Sequence, residues 1–247
     1  MSVEISNNNA IFQRNERKIS FEGINARKYI DLFSNSPVSD AFVKEMAQGI
    51  ESMGIVGQKT IKGQNLRYKI AQKTSDIFPE LKGHHPEGWP EGTTVDNAPG
   101  FSAVGFIALF EKPIDQPKPN ITLVRHETLH GLDSLFGKIF KGNEFFTDTK
   151  GFTKAYLKDI KNLPENMKKY GKKVKDADTY INYLIQGSNP QKANTQGKRE
   201  AFAVIGAKLN GGSDQEKLSK GMDKLIDKVF PNTVAYVEKL LWLLGKR

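Results

Sequence analysis

Residues 126–130 read His126-Glu127-Thr128-Leu129-His130. They lie in a run, residues 121–140, whose apolar residues Leu123, Val124, Leu129, Leu132, Leu135 and Phe136 recur at helical spacing. On a helix, positions i and i+4 share one face a turn apart, so both imidazoles can reach one ion. This constrains the fold: the chain must bury one side of this helix, open the other onto a cleft, and bring a further ligand to it. Composition narrows that ligand. The 247 residues contain four His (His84, His85, His126 and His130) and no Cys. Thiolate nucleophiles, disulfide frameworks, Cys-based zinc fingers and iron–sulfur clusters are therefore excluded, and any metal site uses His, Asp or Glu.

The H-E-x-x-H spacing carries a specific chemistry. Zinc held by three protein ligands keeps one position for water and lowers the pKa of that water to about 7. Glu127, adjacent to the first His, sits beside that open position and can act as general base. Asp133 lies on the same face, where it either orients an imidazole or is an ordinary solvated carboxylate. The third ligand is not a histidine, because none follows His130. It is not a cysteine either, which sets the chain apart from deformylase-like enzymes. A glutamate on a following helix is the remaining common solution, with Glu144, Glu165, Glu200 and Glu216 as candidates. Glu200 is preferred: it opens the small, apolar stretch Glu200–Ala207, where a lone carboxylate needs a partner.

Around this motif the chain reads as α+β and zincin-like, with a small mixed N-terminal lobe, an active-site helix and a mostly helical C-terminal lobe. Residues 1–17, polar and Asn-rich, read as a flexible arm, and 18–247 as one catalytic domain of two lobes meeting near 137. A short strand is expected at Lys18–Gly23. Helical spacing is seen in Ala26–Phe33 and Ser39–Met53, with Ser36-Pro37 as start signal and Gly54 as stop. Asn65–Ile70 suits a strand or a helix end. Residues 83–92 form a Gly/Pro-rich loop, and Phe101–Glu111 a single buried strand. Asn120 or Thr122 can cap the motif helix, and Gly137 marks its weakening or end. Further helices are expected near 150–162, 176–187, 197–209 and 214–229, with a C-terminal one over Val234–Leu244.

The net charge is +9, from 37 Lys+Arg against 28 Asp+Glu. Only seven of those cations are Arg, the residue suited to bidentate phosphate and base contacts. The densest group, Lys168, Lys169, Lys172, Lys173 and Lys175, reads as a solvated helix face, so no nucleic-acid partner is expected. His84 and His85 read as loop residues satisfied by backbone and water. No apolar run suffices for a membrane span, and no classical signal peptide is seen.

Four stretches resemble the anthrax lethal factor-like zinc metallopeptidases, a group that includes the Pro-Pro endopeptidases. They are Gly88-Trp89-Pro90-Glu91-Gly92-Thr93-Thr94-Val95-Asp96; the strand Phe101–Phe110; Leu123–Asp133; and Tyr183-Leu184-Ile185-Gln186 followed by Gly197-Lys198-Arg199-Glu200-Ala201-Phe202-Ala203. The resemblance implies one zinc per chain held by His126, His130 and Glu200, with Glu127 as general base. It also implies an oxyanion-stabilising tyrosine about two turns before the third ligand, where this chain has Ala193. Tyr183 takes that role in this reading, with Tyr180 behind it and Gly187–Gly197 as an inserted loop. Ala203-Val204 stand where an acidic residue is common in the family. The implied function is a monomeric endopeptidase acting on a protein or peptide, exported as a toxin or effector or else cytoplasmic. The alternative is a non-catalytic lethal factor-like module that docks a protein partner.

Overall fold

The structure is a computed structural model and describes residues 24–85, 91–103, 105–113, 120–139, 143–211 and 220–245. The expected arm at 1–17, the strand at Lys18–Gly23, the Gly88-Trp89-Pro90 motif and Glu216 lie outside these residues. The fold is a mixed α/β one, mostly helical, with one small sheet.

Four strands form the sheet: β1 (Ile30–Leu32), β2 (Arg67–Ala71), β3 (Gly100–Ala103) and β4 (Phe106–Phe110). Their order is β1-β2-β4-β3, with β1 and β4 parallel to β2 and β3 antiparallel to β4. Period-two alternation divides each strand between two faces. Tyr68, Ile70, Ile107 and Leu109 point into the main core, while Ala71, Ala108 and Phe110 form a smaller cluster on the other face. There Lys69 sits over the Phe106 ring, with Nζ 4.2 Å from its centroid.

The helices are α1 (Asp40–Glu51), α2 (Ile55–Gln64), α3 (Thr74–Ile77), α4 (Ile121–Ile139), α5 (Lys150–Tyr170), α6 (Ala177–Ile185), α7 (Thr195–Gly211), α8 (Lys220–Val229) and α9 (Pro231–Gly245). The motif helix α4 is central. It starts where the Asn120 side chain accepts from Leu123 N at 3.2 Å. Its residue Thr128 meets the Tyr68 hydroxyl of β2 at 3.0 Å. α1 crosses it where Gly49 lacks a side chain, since a Cβ there would fall 2.7 Å from Val124. α7 packs against its other flank at Gly206, where a Cβ would fall 2.5 Å from Leu129. Beyond α7, Phe146, Phe152, Tyr156, Phe202 and Phe230 make an aromatic core, each burial contributing on the order of 2–3 kcal/mol.

Several elements differ from the sequence expectation. Residues 26–33 are not one helix but a 3-10 turn at Ala26–Tyr29 running into β1. Phe101–Glu111 is not one strand but the hairpin β3–β4, reversed at Gly105 with φ 84°. α2 was not anticipated: its apolar residues are few, and Gly54 both follows α1 and caps α2. α1 begins just after the Ser36-Pro37 signal, with Ser39 as its side-chain cap. α5 continues through Pro164 to Tyr170 instead of ending near 162. α4 runs to Ile139, two residues past Gly137, which is bare because the chain at Phe145 passes close against it. The lysines at 168, 169, 172, 173 and 175 are exposed, as a solvated face requires.

Candidate metal centre

The H-E-x-x-H pentapeptide divides its side chains among three neighbours. Thr128 points to the sheet and Leu129 to α7, as above. His126 and His130 share the remaining face, their rings edge to face with centroids 4.7 Å apart. The two Nε2 atoms are 3.1 Å from each other. α7 carries Glu200 to the same point: its Oε2 lies 3.3 Å from His126 Nε2 and 3.5 Å from His130 Nε2. Of the other glutamates weighed as third ligand, Glu144 and Glu165 are exposed and outside the cluster. Glu127 is 8 % exposed, and its charge is felt at both His130 and Tyr183.

The spacing of these three atoms suits a zinc ion. Bonds of 2.0–2.1 Å in a tetrahedron place ligand atoms about 3.4 Å apart, and the three separations here are 3.1, 3.3 and 3.5 Å. Nitrogen and carboxylate lone pairs converging this closely repel one another unless a proton or a cation lies between them. Nearby charge favours a cation, since Glu127 and Asp133 add their charge to that of Glu200 at His130. Burial pushes the His130 imidazole down, but Glu200, Glu127 and Asp133 more than reverse it. Burial pushes Glu200 up, yet the two imidazoles hold its carboxyl well below the ordinary range.

Tyr183 reaches the site from α6. The residue is 41 % exposed, but its hydroxyl donates to Glu200 Oε2. Burial and the Glu200 charge push its pKa up, so the phenol keeps its proton. Tyr180 stands behind it, ring centroids 6.4 Å apart. The expected inserted loop between the two helices is tightly anchored. α6 stops at Gln186 and Gly187, both with positive φ. The Ser188 hydroxyl then accepts from Asn194 N at 2.8 Å and meets the buried Tyr156 hydroxyl at 3.1 Å. A Cβ on Gly197 would fall 2.3 Å from Ile185 O, so glycine lets α7 start directly against the end of α6.

Asp133 is not solvated. It is buried and accepts from Thr147 N and Thr147 Oγ1, both at 2.9 Å. Burial raises its pKa to about 6 against the pull of Thr147, His130 and Arg199. Three neighbours of the site had no sequence signal that stood out: Thr147, Asp148 and Arg199. Lys198 carried one, since a lysine in the first turn of a helix opposes the helix dipole. His84 and His85 stay apart from the cluster, and His85 Nδ1 meets Thr93 O at 2.7 Å.

No protein-family model and no curated protein sequence matches the chain. Solved structures do, 31 chains in all. One is the Pro-Pro endopeptidase PPEP-2 from Paenibacillus alvei, 21% identical, with 88% of this chain and 100% of that one covered and a TM-score of 0.56. At that identity the likeness speaks for the backbone alone: this chain and a Pro-Pro endopeptidase share a fold.

Proposed function

We propose that the chain is a zinc-dependent endopeptidase of zincin-like architecture, its site lying where a mixed N-terminal lobe meets a helical C-terminal lobe near residue 137. The observation that carries this is the convergence of His126, His130 and Glu200, whose ligating atoms lie within 4.8 Å of one another, beside a buried Glu127. Zinc, when bound, supplies a Lewis acid that polarises a carbonyl and brings the pKa of water toward 7. His126, His130 and Glu200 would hold it. Glu127 takes the proton of the attacking water and delivers it to the departing amide nitrogen. Tyr183, still protonated, releases Glu200 Oε2 and turns its hydroxyl hydrogen to the oxyanion of the tetrahedral intermediate. Asp133, through its charge, favours a proton-bearing nitrogen on the His130 ring. An intact donor set of this kind favours catalysis over a docking module.

The substrate is a protein or peptide bound in extended form. β3 pairs with β4 alone among the described strands, and its Ser102 lies beside α4 at Gly131. An extended peptide can therefore add to its free edge next to the imidazoles. Among the described residues, no helix is long and apolar enough to cross a membrane. A toxin or effector role rests on the family resemblance, and detection of the chain outside the producing cell tests it.

The decisive experiment combines metal analysis with one substitution. The protein should hold about one zinc per chain and cleave members of a peptide library as a monomer. Glu127→Gln should keep the zinc and lose cleavage. Cleavage undiminished in that variant overturns the mechanism, and a chain that takes up no zinc overturns the reading itself.

A further inference from the structure

Residues 143–149, which follow α4, touch both helices that carry the ligands. Toward α4, Thr147 gives its N–H and its hydroxyl to Asp133. The same segment presses its backbone on Gly137, where a Cβ would come within 2.5 Å of Phe145 Cα and 2.6 Å of Glu144 O. Toward α7, Asp148 Oδ1 accepts from Lys198 Nζ at 2.9 Å. The Arg199 guanidinium stacks on the Phe145 ring, 3.5 Å from its centroid. Phe146 plugs between these contacts and meets Phe202 of α7 at 5.5 Å between centroids.

The contact residues immediately precede or flank the ligands. Asp133 is one turn after His130 on α4. Lys198 and Arg199 are the two residues before Glu200. Lys198 is unusual, because it is 7 % exposed and sits in the first turn of a helix. There it loses hydration and faces the positive end of the helix dipole. Asp148 offsets both costs, so this end of α7 is held where Asp148 stands. A pair that costs this much to bury does more for geometry than for stability.

We propose that Thr147 and Asp148 are positioning residues: by clasping Asp133 and Lys198 they fix the distance between the imidazoles of α4 and the Glu200 carboxylate of α7, and so set the affinity of the site for its metal. The metal half of this rests on the function proposed above; the coupling of the two helices does not.

The test uses the full chain, stripped of metal, with Asp148→Asn, Thr147→Val and Thr147→Ser. Zinc affinity is measured by competition with a chromophoric chelator. Amide hydrogen exchange across residues 199–204 is followed in the metal-free protein. Asp148→Asn and Thr147→Val should each weaken zinc binding roughly tenfold or more, the size seen when a ligand's supporting partner is lost. Both should also speed exchange at the start of α7 by more than their loss of global stability accounts for. Thr147→Ser keeps the hydroxyl and should restore wild-type values, which a mere loss of packing would not predict. Unchanged affinity and exchange in Asp148→Asn and Thr147→Val overturns the proposal, as does a Thr147→Ser protein that behaves like Thr147→Val. If the wild-type chain binds no zinc, the proposed function falls and the exchange data alone judge the clasp: unchanged exchange in Asp148→Asn rejects it.

Discussion

Two buried carboxylates, Asp159 of α5 and Glu200 of α7, are built to opposite ends. Asp159 is 0 % exposed and accepts four hydrogen bonds: from Asn232 N at 3.2 Å, Asn232 Nδ2 at 2.6 Å, and Thr233 N and Oγ1 at 2.7 Å each. Two of those donors are backbone N–H groups of the first turn of α9, where the dipole favours a negative charge. Every lone pair is answered, and the carboxylate joins α5 to the C-terminal helix. Glu200 instead meets two ring nitrogens that lie 3.1 Å from each other, with Tyr183 as its hydroxyl donor. Its surroundings are acceptors as much as donors. A closed donor shell marks a joint, whereas converging lone pairs mark a place for a cation.

The sharpest break of that comparison is Glu200→Ala. It removes one of the three proposed ligands, so zinc content should fall from about one per chain to near zero, with affinity down on the order of a thousandfold or more. The metal-free protein should unfold below the wild-type temperature, because the two imidazoles and the Tyr183 hydroxyl lose the carboxylate that answers them. Wild type should be stabilised by added zinc, by about 2.7 kcal/mol at a concentration 100 times Kd, and Glu200→Ala should not respond. A variant that still responds would place the metal elsewhere.

Tyr183→Phe comes next. It leaves the three ligands in place and takes away a single hydroxyl. Zinc should stay bound, while kcat for peptide cleavage drops about 10²- to 10³-fold, the usual cost of one oxyanion donor. An equal loss of zinc would make Tyr183 a support for Glu200 and not an oxyanion donor.

Asp159→Ala tests the closed shell. It strands buried N–H groups at the start of α9, at a cost of about 3 kcal/mol. For a chain of this size that lowers Tm by roughly 6–12 °C. Zinc affinity should move by less than about twofold, because Asp159 and its partners Asn232 and Thr233 lie outside the His126, His130 and Glu200 cluster. A large change in zinc binding would mean that joint and site are one unit.

The two carboxylates were not equally legible in the sequence. Glu200 stood out because a charged residue opened a run of small apolar ones, and because a motif with two ligands left a place for a third. Asp159 gave no such signal, since its partners Asn232 and Thr233 lie more than 70 positions away. The same divide runs through the fold. α4 was readable because its periodicity and its Asn120 cap are both local. The turn at Gly105 and the helix α2 were missed because pairing with distant strands and helices, not local pattern, decides them. Thr147 and Asp148 were invisible for that reason too: they act only where the chain folds back on itself.

Gly137 shows how a local reading fails and yields the smallest of the expected effects. As a sequence signal, glycine near the end of a helix suggests a stop. In the fold, α4 continues two residues further, to Ile139, and the glycine is required because Phe145 crosses over it. Gly137→Ala should therefore not strengthen the helix by the usual amount of about 1 kcal/mol. The added methyl would meet backbone, which cannot rotate aside, and the crossing segment would have to lift. A net loss of about 1–3 kcal/mol is expected from such overpacking. Because the lifted segment carries Thr147 and Asp148, zinc affinity should fall with stability, unlike in Asp159→Ala. Calorimetry together with zinc competition checks this. A Gly137→Ala protein more stable than wild type would show that the segment yields freely, and would detach the close crossing from the positioning of the site.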